Sequence, residues 1–245
     1  MRDYYAEECD RLLKPSIKRL AKAGLTASPQ RLVGHPGEEI SALAEREKAD
    51  LIVMGSHGHS ALHNLVAGSV TSNVLARTRI PLLVLRKREA PEADALKVGI
   101  AIDGSKYGRE AVKYVVRHAD LFGAAPELTL IYVASDFAGA LMPDMAGIAL
   151  PAFSVDDIEG MQKKAFEIAV APARKLLAKG KIVAKEACLI GNPGDELADY
   201  ATRKKLDLLV MGSHGYGAFK AAVLGSTTRR VLAHSKVPLL VVRRG

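Results

Sequence analysis

At 245 residues the chain is long enough for one large domain or two small ones, each able to bury a real core. Its composition, 49% apolar and 25% charged without tryptophan, is that of a globular protein. No run reaches the ~18 uncharged apolar residues of a spanning helix, and the opening MRDYYAEECDRLL is too polar for a signal peptide, so neither a membrane protein nor a secreted one is expected.

The net charge of +8 does not point to nucleic acid. Residues 97–245 hold 21 Lys and Arg against 15 Asp and Glu, but the basic residues are scattered, without interleaved aromatics or a DNA- or RNA-binding module. They read as solvated helix faces, or as an attraction for a polyphosphate ligand. Cys9 and Cys188 have no metal or redox spacing. A cytoplasmic protein in a reducing compartment is the expectation.

Sliding the chain against itself by 157 positions aligns Gly34 with Gly191, Pro36 with Pro193, Gly55 with Gly212, Gly68 with Gly225 and Pro81 with Pro238, without a gap. Two tandem copies of one unit follow. The first, residues 1–86, enters in the middle of a helix, because Met1 matches Ile158. It has a third strand near Arg31 to Gly34, a fourth leading to GSHGHSALHNLVAGS at Gly55, and the fifth strand IPLLVLR. Counterparts of the first two strands are missing, which should leave a gap and an unsatisfied apolar sheet edge. Either the chain begins downstream of the usual start, or the third strand moves in beside the fourth, or another chain supplies the missing strands. A linker spans residues 87–96.

The second copy, residues 97–245, is complete. LKVGIAID ends a buried strand at Asp103, and apolar spacing predicts a helix from Lys106 to Leu121 capped by Ser105. ELTLIYV is the second strand, ending at Val133. The segment from Ala134 to about Ser154, rich in Met, Pro and Gly, reads as a lid, a partner-binding flap or a disordered connection, and a helix follows from Val155 to Lys179. IVAKEACLIG, the helix beginning at Pro193, DLLVMG, the helix from Gly225 to Ser235 and VPLLVVR complete the pattern. Strands alternating with helices predict an α/β fold with a doubly wound, five-stranded parallel sheet in each full copy. Ligands of such sheets lie at the carboxyl ends of the strands, here Asp103, Val133 and Met211–Gly212.

GSHGYGAFKAAVLGS at Gly212 has the form G-x-x-G, nine residues, G-[S/T], between a buried strand and a helix. Gly212, Gly215 and Gly225 are expected to allow positive φ and close approach of backbone N–H groups to an anion. The helix start at Gly225, Ser226 and Thr227 adds unpaired donors, and His214 and His57 lie where an imidazole can reach a phosphate. Without a lysine after the last glycine, this is not a Walker A loop. Gly55, Gly58, Gly68 and Ser69 form a weaker, phosphate-only cradle in the first copy.

AIDGS at Asp103, VMGSHG, the nine-residue spacer to GS and the closing VPLLVVR together resemble the universal stress protein family. The resemblance covers residues 97–245, and residues from about 10 to 86 as a partial copy. It implies the adenine-nucleotide α-hydrolase-like fold and binding of ATP, ADP or AMP, with Mg²⁺ as a companion of the nucleotide. By that resemblance Asp103 contacts the adenosine, the Val133 backbone the adenine, and Met211 and Gly212 the ribose side. His214, Gly215, Gly225, Ser226 and Thr227 surround the phosphates. It also implies a dimer-forming edge at the fifth strand, so the two copies are expected to pair as a pseudo-dimer within one chain, and a homodimer of whole chains is expected to cover the exposed edge of the truncated copy. No paired carboxylates, Walker B pattern or Ser-His-Asp set accompanies the pocket, so a stress-response sensor or regulator is expected rather than an enzyme. The competing readings are a slow ATPase or nucleotide-transferring enzyme, and an interaction module that binds no nucleotide.

Overall fold

The computed structural model describes residues 2–56, 68–86, 95–136, 155–215 and 224–243. The first copy contributes helices α1 (Arg2–Lys22), α2 (Pro36–Arg46) and α3 (Ser69–Arg77) and strands β1 (Ile52–Gly55) and β2 (Leu82–Leu85). The second contributes β3 (Lys97–Ala101), α4 (Lys106–Arg117), β4 (Glu127–Ala134), α5 (Val155–Lys179), β5 (Ala184–Ile190), α6 (Pro193–Arg203), β6 (Leu208–Gly212), α7 (Ser226–His234) and β7 (Leu239–Val242). The helix read as running to Leu121 ends at Arg117, and a 3-10 turn, Ala119–Phe122, follows it.

Among the described residues seven strands form one sheet in the order β1-β2-β7-β6-β3-β4-β5. Every neighbouring pair is parallel except β2 and β7, where Leu82, Leu83 and Val84 lie opposite Val241, Leu240 and Leu239. The two fifth strands thus join the copies antiparallel, as their shared apolar sequence leads one to expect. Strands β6 and β7 are buried at every residue, which suits parallel strands covered on both faces.

Side chains on the two helices confirm why they start where they do. Ser105 Oγ accepts from the Gly108 amide at 3.1 Å and opens α4, whose Ala111, Val112 and Val115 then fall on one buried face. Asn192 Oδ1 accepts from the Gly194 amide at 3.0 Å and opens α6, with Pro193 in the first turn. One core packs α2, α3, α6 and α7 on one side of the sheet, from Val74 and Leu75 through to Leu232 and Val241. The other packs α4 and α5 on the opposite side, around Val98, Ile100, Val112, Phe122 and Val170.

No strand forms at Arg31 to Gly34, contrary to the sequence reading. Among the described residues its counterpart β5 pairs only with β4, and the first copy shows no equivalent of β4 to receive it. Nor does the segment move in beside β1, which among the described residues pairs only with β2 and forms the sheet edge. Val53 on β1 is 52% exposed, whereas its counterpart Val210 is fully covered beneath α4. The edge is as bare as the missing strands predict.

Candidate functional site

Strands β3 and β6 are neighbours at the point where the winding direction reverses, so Asp103 and Gly212 meet at their carboxyl ends. The chain after β6 is tied down by its main chain. The Ser213 amide donates to Val242 O at 3.0 Å, and the Gly225 amide donates to Ser213 O at 2.9 Å. Thr228 Oγ1 donates to Gly212 O at 3.1 Å. These bonds bring the start of α7 beside the end of β6. Gly225 is the N-cap of α7 with no side-chain cap, so the amides of Ser226, Thr227 and Thr228 lack intrahelical acceptors and offer the positive end of a helix.

The glycines serve close approach, not positive φ. None of Gly212, Gly215 and Gly225 is among the glycines with φ above zero, which at this site include Gly104 at 75°. A Cβ on Gly212 would lie 2.7 Å from both the carbonyl carbon and oxygen of Tyr107. On Gly225 it would stand 3.1 Å from His214 Cα, and on Gly215 it would stand 2.9 Å from Asp103 Oδ2. Main chain of α4 demands bare backbone at Gly212, while Gly225 is tightly packed and Gly215 faces only the end of the Asp103 side chain.

Asp103 is half-buried, and its Oδ1 accepts from the Ser105 amide at 2.9 Å. Its carboxylate therefore lies between the turn that opens α4 and the G-x-x-G loop. Burial, reinforced by the electrostatic influence of Cys188 and Asp103, pushes the Tyr132 hydroxyl above its ordinary pKa. Val133 lies near the end of β4, opposite Leu189. The Met211 side chain is in the core at 4% exposure, which leaves its main chain as the part available to a ligand.

His214 is buried, with Nδ1 at 2.9 Å from Ser213 Oγ and its ring centroid 5.0 Å from that of Tyr107. Lys106 Nζ lies 5.0 Å from the Tyr107 ring and puts a cation at the same rim. Tyr107 and Thr228 were not picked out from the sequence. Tyr107 reads there only as part of a helix start, and its contact with Gly212 depends on the fold. Thr228 had a usable signal, since its match 157 residues earlier, Thr71, is also threonine.

In the first copy the loop closes in the same way. The Gly68 amide donates to Ser56 O at 2.8 Å and Thr71 Oγ1 to Gly55 O at 3.2 Å. Gly68 has φ −56° and ψ 153°, against −59° and 149° at Gly225, and Ser69 begins α3 as Ser226 begins α7. Gly55 is exposed, because nothing corresponds to the α4 residue that covers Gly212. Gly58 and His57 lie outside the described residues, as do residues 137–154 of the segment read as a lid and most of the linker. Among the described residues no group of three or more His, Cys, Asp or Glu is placed to hold a metal ion, and no helix is long and apolar enough to cross a membrane.

The family model of the universal stress protein family matches residues 3–86 and again 96–243. A universal stress protein of Synechocystis sp. is 46% identical over 69 residues, 28% of this chain and 24% of that one. One from Mycobacterium bovis is 26% identical over 210 residues, 80% of this chain and 63% of its own. The chain thus spans less than two thirds of the length of either relative. A universal stress protein of Methanocaldococcus jannaschii is 32% identical over 151 residues, 60% of this chain and 82% of its own. The crystal structure of a universal stress protein from Archaeoglobus fulgidus superposes with a TM-score of 0.68 at 23% identity, covering 99% of this chain and 80% of that one, and shares the fold. With two matches that account for nearly its whole length, the chain belongs to the universal stress protein family as a tandem-repeat member, its sheet of the adenine-nucleotide α-hydrolase-like kind.

Proposed function

We propose that the second copy binds ATP or a related adenine nucleotide at the carboxyl ends of β3 and β6, and that the bound nucleotide regulates the protein's conformation or partners in a stress response. The observation that carries this reading is the bare-backbone cradle. Gly212 is packed where no side chain fits and Gly225 is closely packed, beside the uncapped start of α7 and the Asp103 carboxylate that Gly215 faces. In this reading the α7 start receives the phosphates and the Asp103 carboxylate accepts from the adenosine part of the nucleotide. Mg²⁺ is assigned to the phosphates of the nucleotide and not to a protein site. The first copy keeps the cradle without an adenine pocket, so we assign one competent site to each chain.

Titration calorimetry with ATP tests this. One site per chain is expected, weakened about tenfold or more by Asp103→Ala, the scale of losing a hydrogen bond to a charged group. Two equal sites, or no heat at millimolar ATP, would overturn it. We further propose that whole chains associate as homodimers through the bare β1 edge, where Val53 is half exposed. Light scattering on the intact chain should give twice the chain mass, falling to the monomer for Val53→Lys; a monomer at every concentration refutes the dimer.

A further inference from the structure

We infer that the first copy positions the phosphate-binding helix of the second, with Arg86 as the positioning residue. The inference rests on the nucleotide site proposed above and assigns that site a regulator. Helix α7 has nine residues, so it is a rod about 13 Å long. One end is the cradle at Gly225, Ser226 and Thr227. At the other end Leu232 O, among the last carbonyls without an intrahelical partner, accepts from an Nη of Arg86. Arg86 follows β2, whose residues pair antiparallel with β7. The same sheet contact that joins the copies therefore delivers this arginine to α7.

The arrangement is built for holding a position. Arg86 is half-buried, and burial lowers its pKa from the ordinary arginine value. Its Nε is buried with no hydrogen-bond partner among the described residues, so the bond to Leu232 O is the directional tie on this guanidinium. A cation at the carbonyl end of a helix also stabilises that helix. The bond recurs across the pseudo-two-fold axis, where Arg243 donates to Leu75 O near the end of α3. One wall of the nucleotide loop, α7, is thus in contact with a group that bridges the two copies. By linkage, a nucleotide that fixes the start of α7 must strengthen the contact between copies by the factor with which that contact strengthens nucleotide binding.

The test uses the full chain, with ATP and adenosine as probes. Arg86→Met keeps an unbranched apolar stem and removes the guanidinium. ATP affinity should fall about 5- to 30-fold, within the usual range of coupling between sites. Adenosine, which has no phosphate to place on α7, should bind within about twofold of the parent chain, on the scale of a surface change away from the contact. Saturating ATP should slow amide exchange in Leu82–Leu85 and Leu239–Val242 of the parent chain more than in the variant. Unchanged ATP affinity in Arg86→Met overturns the inference, and so does an equal loss for ATP and adenosine, which would mean general loosening. Should Arg86→Met not fold, Arg86→Lys carries the same comparison, with a loss for ATP alone again expected. A parent chain that binds neither ATP nor adenosine overturns the nucleotide site itself, an outcome distinct from selective insensitivity to Arg86.

Discussion

A methyl group separates two glycines of opposite character. At Gly212 a Cβ would press on the main chain of Tyr107 at 2.7 Å, and main chain at the start of α4 cannot swing aside. Gly212→Ala should therefore cost about 1–3 kcal/mol, the scale of overpacking. At Gly160, inside α5, nothing lies within 4 Å of a Cβ, so alanine there should stabilise by about 0.5–1 kcal/mol through helix propensity. Urea unfolding of both variants should give opposite signs, and like signs would refute the packing argument. Asp195 offers a test by pH. Its carboxylate accepts from Arg230 Nε at 2.6 Å, and this bond holds its pKa below the ordinary carboxylate value despite an opposing contribution from desolvation. A depressed folded-state pKa contributes stability above the unfolded-state value and loses it as pH falls through the folded-state value. Thermal unfolding should find Asp195→Asn less stable than the parent at neutral pH, by a small margin because the pair is exposed, with the difference vanishing in acid.

Among the elements, α1 and α5 amount to an internal control. They align by the 157-residue offset, down to Pro15 and Pro172 inside each helix. Leu177 on α5 is 3% exposed in the core with α4, whereas its match Leu20 on α1 is 39% exposed, because the elements that would cover it are missing from the first copy. Leu177→Ala should cost about 2–5 kcal/mol, and Leu20→Ala no more than about 0.5 kcal/mol. Comparable losses would mean that α1 is buried in solution. The same missing elements explain what the sequence could not disclose. Elements with local causes were readable: α5 begins and ends where its spacing predicts, and α6 starts at its proline. RLVG at Arg31 has nearly the apolar pattern of CLIG at Cys188, yet only the latter becomes strand, since pairing with β4 decides it. At the site, Asp103 and the glycine spacing were legible because they lie at strand ends. The Tyr107 contact was not, because it joins residues more than a hundred positions apart.

For the molecule as a whole, the two copies do not form separate bodies. The core on the α2, α3, α6 and α7 side includes Val74, Leu75, Leu82 and Val84 from the first copy with Leu197, Leu232, Leu239 and Val241 from the second. Unfolding either copy alone would bare the apolar edge that β2 and β7 share, where Leu82 lies opposite Val241 and both are fully buried. The first copy, with two strands and a bare outer edge, has too little core of its own to stand without that contact. A single cooperative transition is therefore expected in urea, with tyrosine fluorescence, which reports mostly on the second copy, coinciding with far-UV circular dichroism, which reports on both. Leu82→Ala should lower the common midpoint, at a cost of about 2–5 kcal/mol, without separating the two probes. If the dichroism signal began to fall while tyrosine fluorescence stayed native, the first copy would be melting alone. The tandem would then be two loosely joined halves, and α7 could not depend on Arg86 for its position.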